Sequence, residues 1–162
     1  MKNELLQMLR FDHILSNVEV SDWQQAVQTT GEFMRKAGLC TEEYIEAMID
    51  LIQEYGPYLV IAPGIALLHA RPDKYILKPG LVLITLKTPI CFGHSENDPV
   101  WLLIGLAASD NKSHVDALAE LAILLSEEGI VEKIKENSHQ SDVIFQIIQK
   151  ASGKKTQASK ET

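Results

Sequence analysis

Leu81-Val82-Leu83-Ile84-Thr85-Leu86 is apolar at nearly every position, with neither helical spacing nor alternation of apolar and polar residues. A run of that kind is a strand covered on both faces, so it belongs at the centre of a sheet with helices above and below. Val100 to Ala108 repeats the pattern and supplies a second buried strand, and Lys87 to Pro99 between them is a polar loop carrying Pro89, Gly93, Asn97 and Pro99. Two fully apolar strands among amphipathic helices predict an α/β fold: a three-layer sandwich with a mixed β-sheet flanked by helices.

Upstream of this pair, Tyr58 to Ala62 and Ile65 to Leu68 are β-branched and aliphatic and too short for helices. They read as strands on either side of Pro63-Gly64, a fixed φ followed by a free one. Thr41 with Glu42 and Glu43 behind it starts a helix that is acidic where the dipole favours acid, buries Ile45, Met48, Ile49 and Ile52, and stops at Gly56-Pro57. Ser21 and Gln24 form a capping-box pattern for an earlier helix, whose face Trp23, Ala26, Val27, Thr30, Met34 and Ala37 ends at Gly38. Ile14 to Val20 reads as a strand, and Met1 to Phe11 as a short helical turn.

Downstream, Ser113 with Asp116 is another capping-box pattern, opening a helix with Val115, Leu118, Ala119, Ala122 and Leu125. Gly129 separates it from a helix at Ile130 to Glu136, and Asp142 to Lys150 forms the last one. Residues 151–162 are mostly Ser, Lys, Thr and Gly with no large apolar anchor, so residues 1–150 read as one domain and the remainder as a disordered tail.

Composition narrows the function classes. The chain has 162 residues, 46% of them apolar, and a formal net charge of −7. That is one domain with a sizeable core, and no basic stripe exists to displace counterions from a nucleic acid. The longest apolar runs are about half of the roughly 20 residues a spanning helix needs, and the polar, acidic start is no signal peptide, so a cytoplasmic protein without membrane insertion is expected. Cys40 and Cys91 form no CxxC pair and are expected as reduced thiols, with no zinc site.

No Walker loop, GxGxxG turn, HExxH or GxSxG is present, which leaves the histidines His13, His69, His94, His114 and His139 as candidate chemistry. His69 follows the apolar run Ile65 to Leu68 and precedes Arg71-Pro72, so an imidazole enters a polar turn with a fixed cation two residues on. The residues alone leave two readings open, a satisfied buried histidine and a reacting one. His114 follows the carboxyl end of the second apolar strand at a helix start, where unpaired N–H groups attract anions and ligands of open α/β sheets gather. Alone it reads equally as an exposed first-turn residue. His94 sits in a polar loop, Cys91 reads as packing, and the acidic residues show no paired-carboxylate spacing.

The series Ala62-Pro63-Gly64-Ile65-Ala66-Leu67-Leu68-His69-Ala70-Arg71-Pro72-Asp73, Phe92-Gly93-His94 with Asn97-Asp98-Pro99-Val100, and Gly105-Leu106-Ala107-Ala108 with Ser113-His114 resembles the mannitol/fructose-type enzyme IIA of the bacterial sugar phosphotransferase system. Within that family it looks most like the L-ascorbate branch. The resemblance runs from Trp23 to about Ile148 and implies helices around a mixed sheet and a phosphotransferase role without metal or cofactor. His69 would accept a phosphoryl group from the carrier HPr and pass it to a cysteine of IIB, which serves the membrane component IIC; His114 would steady the phosphoryl group. Leu68 stands where the family motif has Pro, and Gln53 lies nearest the position of an arginine in the mannitol type. Arg71 is the candidate replacement cation and Ser113 a candidate phosphate-binding residue; Arg71 has Asp73 and solvent as its alternative partners. The resemblance leaves a nitrogen-type regulatory IIA and a plain interaction domain as alternatives.

Overall fold

The two apolar runs pair at the centre of the molecule. In a computed structural model that describes residues 8–161, and side chains through residue 152, β4 (Gly80–Ile90) lies antiparallel to β5 (Val100–Ala107), with Gly80 opposite Ala107 and Ile90 opposite Val100. β1 (Leu9–Val18) runs parallel to β4 on one side, β3 (Ile65–Leu68) parallel to β5 on the other, and β2 (Val60–Ala62) closes the edge antiparallel to β3. The order is β1-β4-β5-β3-β2.

Although β3, β5 and most of β4 are apolar throughout, their side chains still alternate between two separate cores, because successive residues of a strand point to opposite faces. Ala66, Leu68, Val82, Ile84 and Leu103 pack with α1 (Trp23–Lys36) and α2 (Glu42–Tyr55). Ile65, Leu67, Leu81, Leu83, Leu102, Ile104 and Leu106 pack with α3 (Asn111–Ser126), α4 (Ile130–Glu136) and α5 (Ser141–Glu161). This is the three-layer mixed α/β sandwich expected from sequence, and burial on both faces is what allowed strands with no polar alternation.

Gly64 forms the corner between β2 and β3. Its φ is +77°, and a Cβ there would run into the Trp101 indole. Its N–H donates to Asn97 O at 2.8 Å, and its carbonyl accepts from Trp101 N at 2.9 Å. Only glycine meets both demands.

Several boundaries differ from the sequence reading. β4 runs on through Lys87 to Ile90, where a polar loop was expected from Lys87, because it stays paired with β5 as far as Val100. β2 begins at Val60 rather than Tyr58, and β1 ends at Val18 rather than Val20. β1 begins at Leu9 rather than Ile14, with a register shift between Leu9 and Ile14 that hides its pattern; residues 1–7 of the expected N-terminal turn lie outside the described residues. The cap of α1 is Asp22, which accepts from Gln25 N at 2.8 Å, one residue on from the Ser21–Gln24 pattern. The cap of α3 is Asp110, accepting from Ser113 N at 2.7 Å, so Ser113 is the third helical residue and not the cap. Finally, α5 runs to Glu161 where a disordered tail was expected from Ala151; Ala151 and Ser152 are buried as its continuation.

Both cysteines are free. Cys40 is buried, with burial pushing its thiol up to about 11, while Cys91 is exposed just past the end of β4.

Candidate functional site

The chemistry gathers where β3 and β5 end side by side. Leu68 pairs with Gly105 in the last step of their parallel ladder. Beyond it the alternation of faces continues: Ala70 packs with the α1/α2 core, and His69 turns to the other layer, where α3 presents His114. The two imidazoles approach with ring centroids 5.1 Å apart at an interplanar angle of 50°. Both are half-buried.

His69 Nδ1 lies 2.9 Å from Leu67 O. A carbonyl can only accept, so Nδ1 carries the proton and donates, and Nε2 keeps its lone pair. Burial lowers the His69 pKa from its ordinary value, and the His114 ring adds to the lowering against the Leu67 hydrogen bond. Burial also lowers the pKa of His114. At neutral pH the pair is therefore uncharged, and one imidazole offers a bare, oriented nitrogen.

Tyr44 supports the turn from the opposite layer. Its hydroxyl accepts from Ala70 N at 2.9 Å and donates to Leu106 O at 2.9 Å, and the side chain is only 1% exposed. Sequence reasoning did not single it out. The available signal was a tyrosine on the buried face of a helix, whose hydroxyl must find a partner.

Arg71 is exposed and, among the described residues, makes no hydrogen bond or ion pair; Asp73, its alternative partner, instead accepts from Lys74 N at 2.6 Å. Its charge reaches Tyr58, whose phenol pKa burial raises and Arg71 pulls back. Ser113 is tied into the α3 cap, and the Asp110 carboxylate occupies the helix start that sequence reading left open to an anion.

His94 is held elsewhere, in the loop joining β4 to β5 at the opposite end of the sheet. Its Nδ1 accepts from Glu96 N at 3.2 Å and Asn97 N at 3.0 Å. Asp98 accepts from Phe92 N at 3.1 Å, Gly93 N at 2.8 Å and His94 N at 2.9 Å. His13 is buried beside Asp12, with Nδ1 lacking a partner among the described residues, and His139 is exposed and contacts Gln140. Among the described residues no group of His, Cys, Asp and Glu has the arrangement of a metal site, and no helix is long and apolar enough to cross a membrane.

Residues 7–151 match the family model described as "Phosphoenolpyruvate-dependent sugar phosphotransferase system, EIIA 2". The ascorbate-specific PTS system EIIA component of Salmonella choleraesuis is 36% identical over 118 residues, covering 72% of this chain and 77% of the relative. The solution structure of the mannitol-specific cryptic phosphotransferase enzyme IIA CmtB from Escherichia coli superimposes with a TM-score of 0.78 at 33% identity, over 90% of this chain and 98% of that one. Enzyme IIAMTL of E. coli, solved in complex with phosphorylated enzyme IIBMTL, gives a TM-score of 0.74 at 25% identity over 87% and 96%. The chain belongs to the EIIA 2 family of the sugar phosphotransferase system, and is a phosphotransferase of the phosphohistidine-carrier kind.

Proposed function

We propose that His69 Nε2 is the atom that carries the phosphoryl group. The observation that carries this reading is the 2.9 Å contact of Nδ1 with Leu67 O, which leaves Nε2 as the free nucleophile beside His114. The Nε2 lone pair attacks phosphorus on the phosphohistidine of HPr, the donor's P–N bond breaks, and the donor imidazole leaves. In the second step a cysteine thiolate of IIB attacks the same phosphorus and the P–Nε2 bond breaks. Throughout, Nδ1–H remains on Leu67 O, stabilising the charge that the ring gains while phosphorylated.

His114 donates to the phosphoryl oxygens, a charge-assisted bond of about 1.5–3 kcal/mol. Arg71, with no carboxylate holding it among the described residues, supplies a forked cation from the rim. Ser113 acts with the α3 cap rather than with the phosphate. Support for a IIB acceptor comes from IIAMTL, which forms a complex with phosphorylated IIBMTL. Support for an L-ascorbate system, whose IIB would serve a membrane IIC, comes from the ascorbate-specific relatives.

The test is incubation with phosphoenolpyruvate, enzyme I and HPr, followed by 31P and 15N NMR. An acid-labile phosphate on His69 Nε2 is expected. No phosphate, or phosphate on Nδ1 or on another histidine, overturns the reading.

A further inference from the structure

The parallel ladder of β3 and β5 stops at Leu68 and Gly105, yet the strands do not simply part. A phenol oxygen is inserted between them. Ala70 N–H donates to Tyr44 Oη, and the Tyr44 O–H donates to Leu106 O, each at 2.9 Å, with Ala70 O a further 3.3 Å contact. The hydroxyl thus replaces one rung of the sheet with a bridge one atom wide. Tyr44 Oη is held within this apolar layer, and burial raises its pKa strongly, so it stays a neutral group able to donate and accept at once.

The residue between the last ladder pair and the bridged residue is His69. Its backbone is held on one side by the Leu68 pairing and on the other by the bridge at Ala70, which sets the turn that brings Nδ1 back onto Leu67 O. We infer that Tyr44 is a positioning residue for the phosphoryl acceptor: its hydroxyl, acting from the face opposite the site, fixes the backbone that selects the Nδ1–H tautomer of His69. The inference rests on His69 being the acceptor. It assigns Tyr44 no contact with phosphate.

A comparison within the same sheet separates positioning from stability. Thr85 is also a buried hydroxyl bridging two segments, accepting from Asn17 N at 3.0 Å and donating to Ser138 O, but on β4 away from His69. Tyr44→Phe and Thr85→Val each delete one such bridge and leave the shape. Both are expected to lower Tm, Tyr44→Phe by more, since it strands a donor and an acceptor in the core, whereas the groups that Thr85 leaves are Asn17 N–H, on an exposed residue, and Ser138 O, on a half-buried one. Only Tyr44→Phe should convert His69 from one Nδ1–H tautomer to a mixture, read by 15N NMR of the imidazole, and slow phosphoryl transfer from HPr by about tenfold, the size expected when a reacting atom is loosened by a fraction of an ångström. Transfer within twofold of the unaltered chain, or an equal loss in Thr85→Val, overturns the inference. If the unaltered chain takes no phosphate, the acceptor reading fails, and the tautomer comparison alone then decides the clamp. Should Tyr44→Phe not fold, the unaltered chain provides the measurement. Ala70 N–H must exchange as slowly as Leu67 N–H, and the Tyr44 hydroxyl proton must be visible in water; an Ala70 amide exchanging at loop rates overturns the inference.

Discussion

His69 and His94 stand at opposite ends of one sheet, and the backbone has set them in opposite protonation patterns. At the carboxyl end of β3, Leu67 O accepts a hydrogen bond from His69 Nδ1–H, leaving Nε2 bare. In the β4–β5 loop, Glu96 N–H and Asn97 N–H both donate hydrogen bonds to His94 Nδ1, so the N–H of that ring is Nε2 and it shows no lone pair to the outside. The same side chain presents a bare ring nitrogen in one place and staples a loop in the other. What decides is whether a carbonyl or an amide reaches Nδ1 first, and neither composition nor local motif carries that information.

The sharpest way to break the contrast is to delete each ring. His69→Ala should abolish phosphate uptake from HPr while circular dichroism stays unchanged, because the ring ends a strand and fills no core. Uptake that survives would move the acceptor to another histidine, His114 first. His94→Ala should load at the rate of the unaltered chain, and a comparable loss there would end the distinction.

Next in size is His114→Ala. Loading should persist, but transfer to IIB should fall by about tenfold or more, the worth of one charge-assisted hydrogen bond to the phosphoryl group. Stopped-flow measurement of that step, unchanged by the substitution, would remove His114 from the site.

The staple can be tested by itself. Asp98→Ala frees three backbone N–H groups and should cost about 1–2 kcal/mol in urea denaturation, with HPr transfer unaffected. A loss of transfer would mean that the loop communicates with His69, through Asn97 and the Gly64 corner.

The smallest effect is on pH dependence. His69, His114 and His13 all have pKa values lowered by burial from the ordinary 6.5. As pH falls through 6.5 the unfolded chain takes up protons that the folded chain refuses, so stability is full above that value and declines below it until the folded rings also protonate. A Tm series from pH 8 to 5 should show this acid limb, flattened in part by His69→Ala. Phosphate uptake should weaken over the lower part of the range, where the acceptor nitrogen becomes protonated. A Tm that rises toward pH 5 would contradict the burial of all three.

Much of the fold was readable because burial on both faces writes a continuous apolar run, and β4 and β5 carry one each. β1 was misplaced at its start because a register shift between Leu9 and Ile14 interrupts the two-residue period that identifies a strand. The α3 cap went to Asp110, whose side chain accepts from Ser113 N, whereas the sequence reading followed the Ser113–Asp116 spacing and did not consider an acid three residues earlier. Within the candidate site, His69 and His114 stood out by their places after strand ends, but the residues alone left a buried and a first-turn reading open, and their pairing appears only in the fold. Tyr44 was not, since its partners Ala70 and Leu106 are brought to it only by the folded sheet and its spacing fits the ordinary buried stripe of α2.

The antiparallel course of β4 against β5 also gives the molecule a built-in handle. Cys91 leaves the sheet where β5 begins, about 20 Å along the strands from the level of His69. Cys40 is sealed in the core, with its thiol pushed up to about 11. A maleimide at neutral pH should therefore couple at one position, and a surface or fluorophore attached there would hold every molecule with His69 turned outward. Single-molecule recordings of partner arrival could then be made on the native sequence, with no cysteine added or removed.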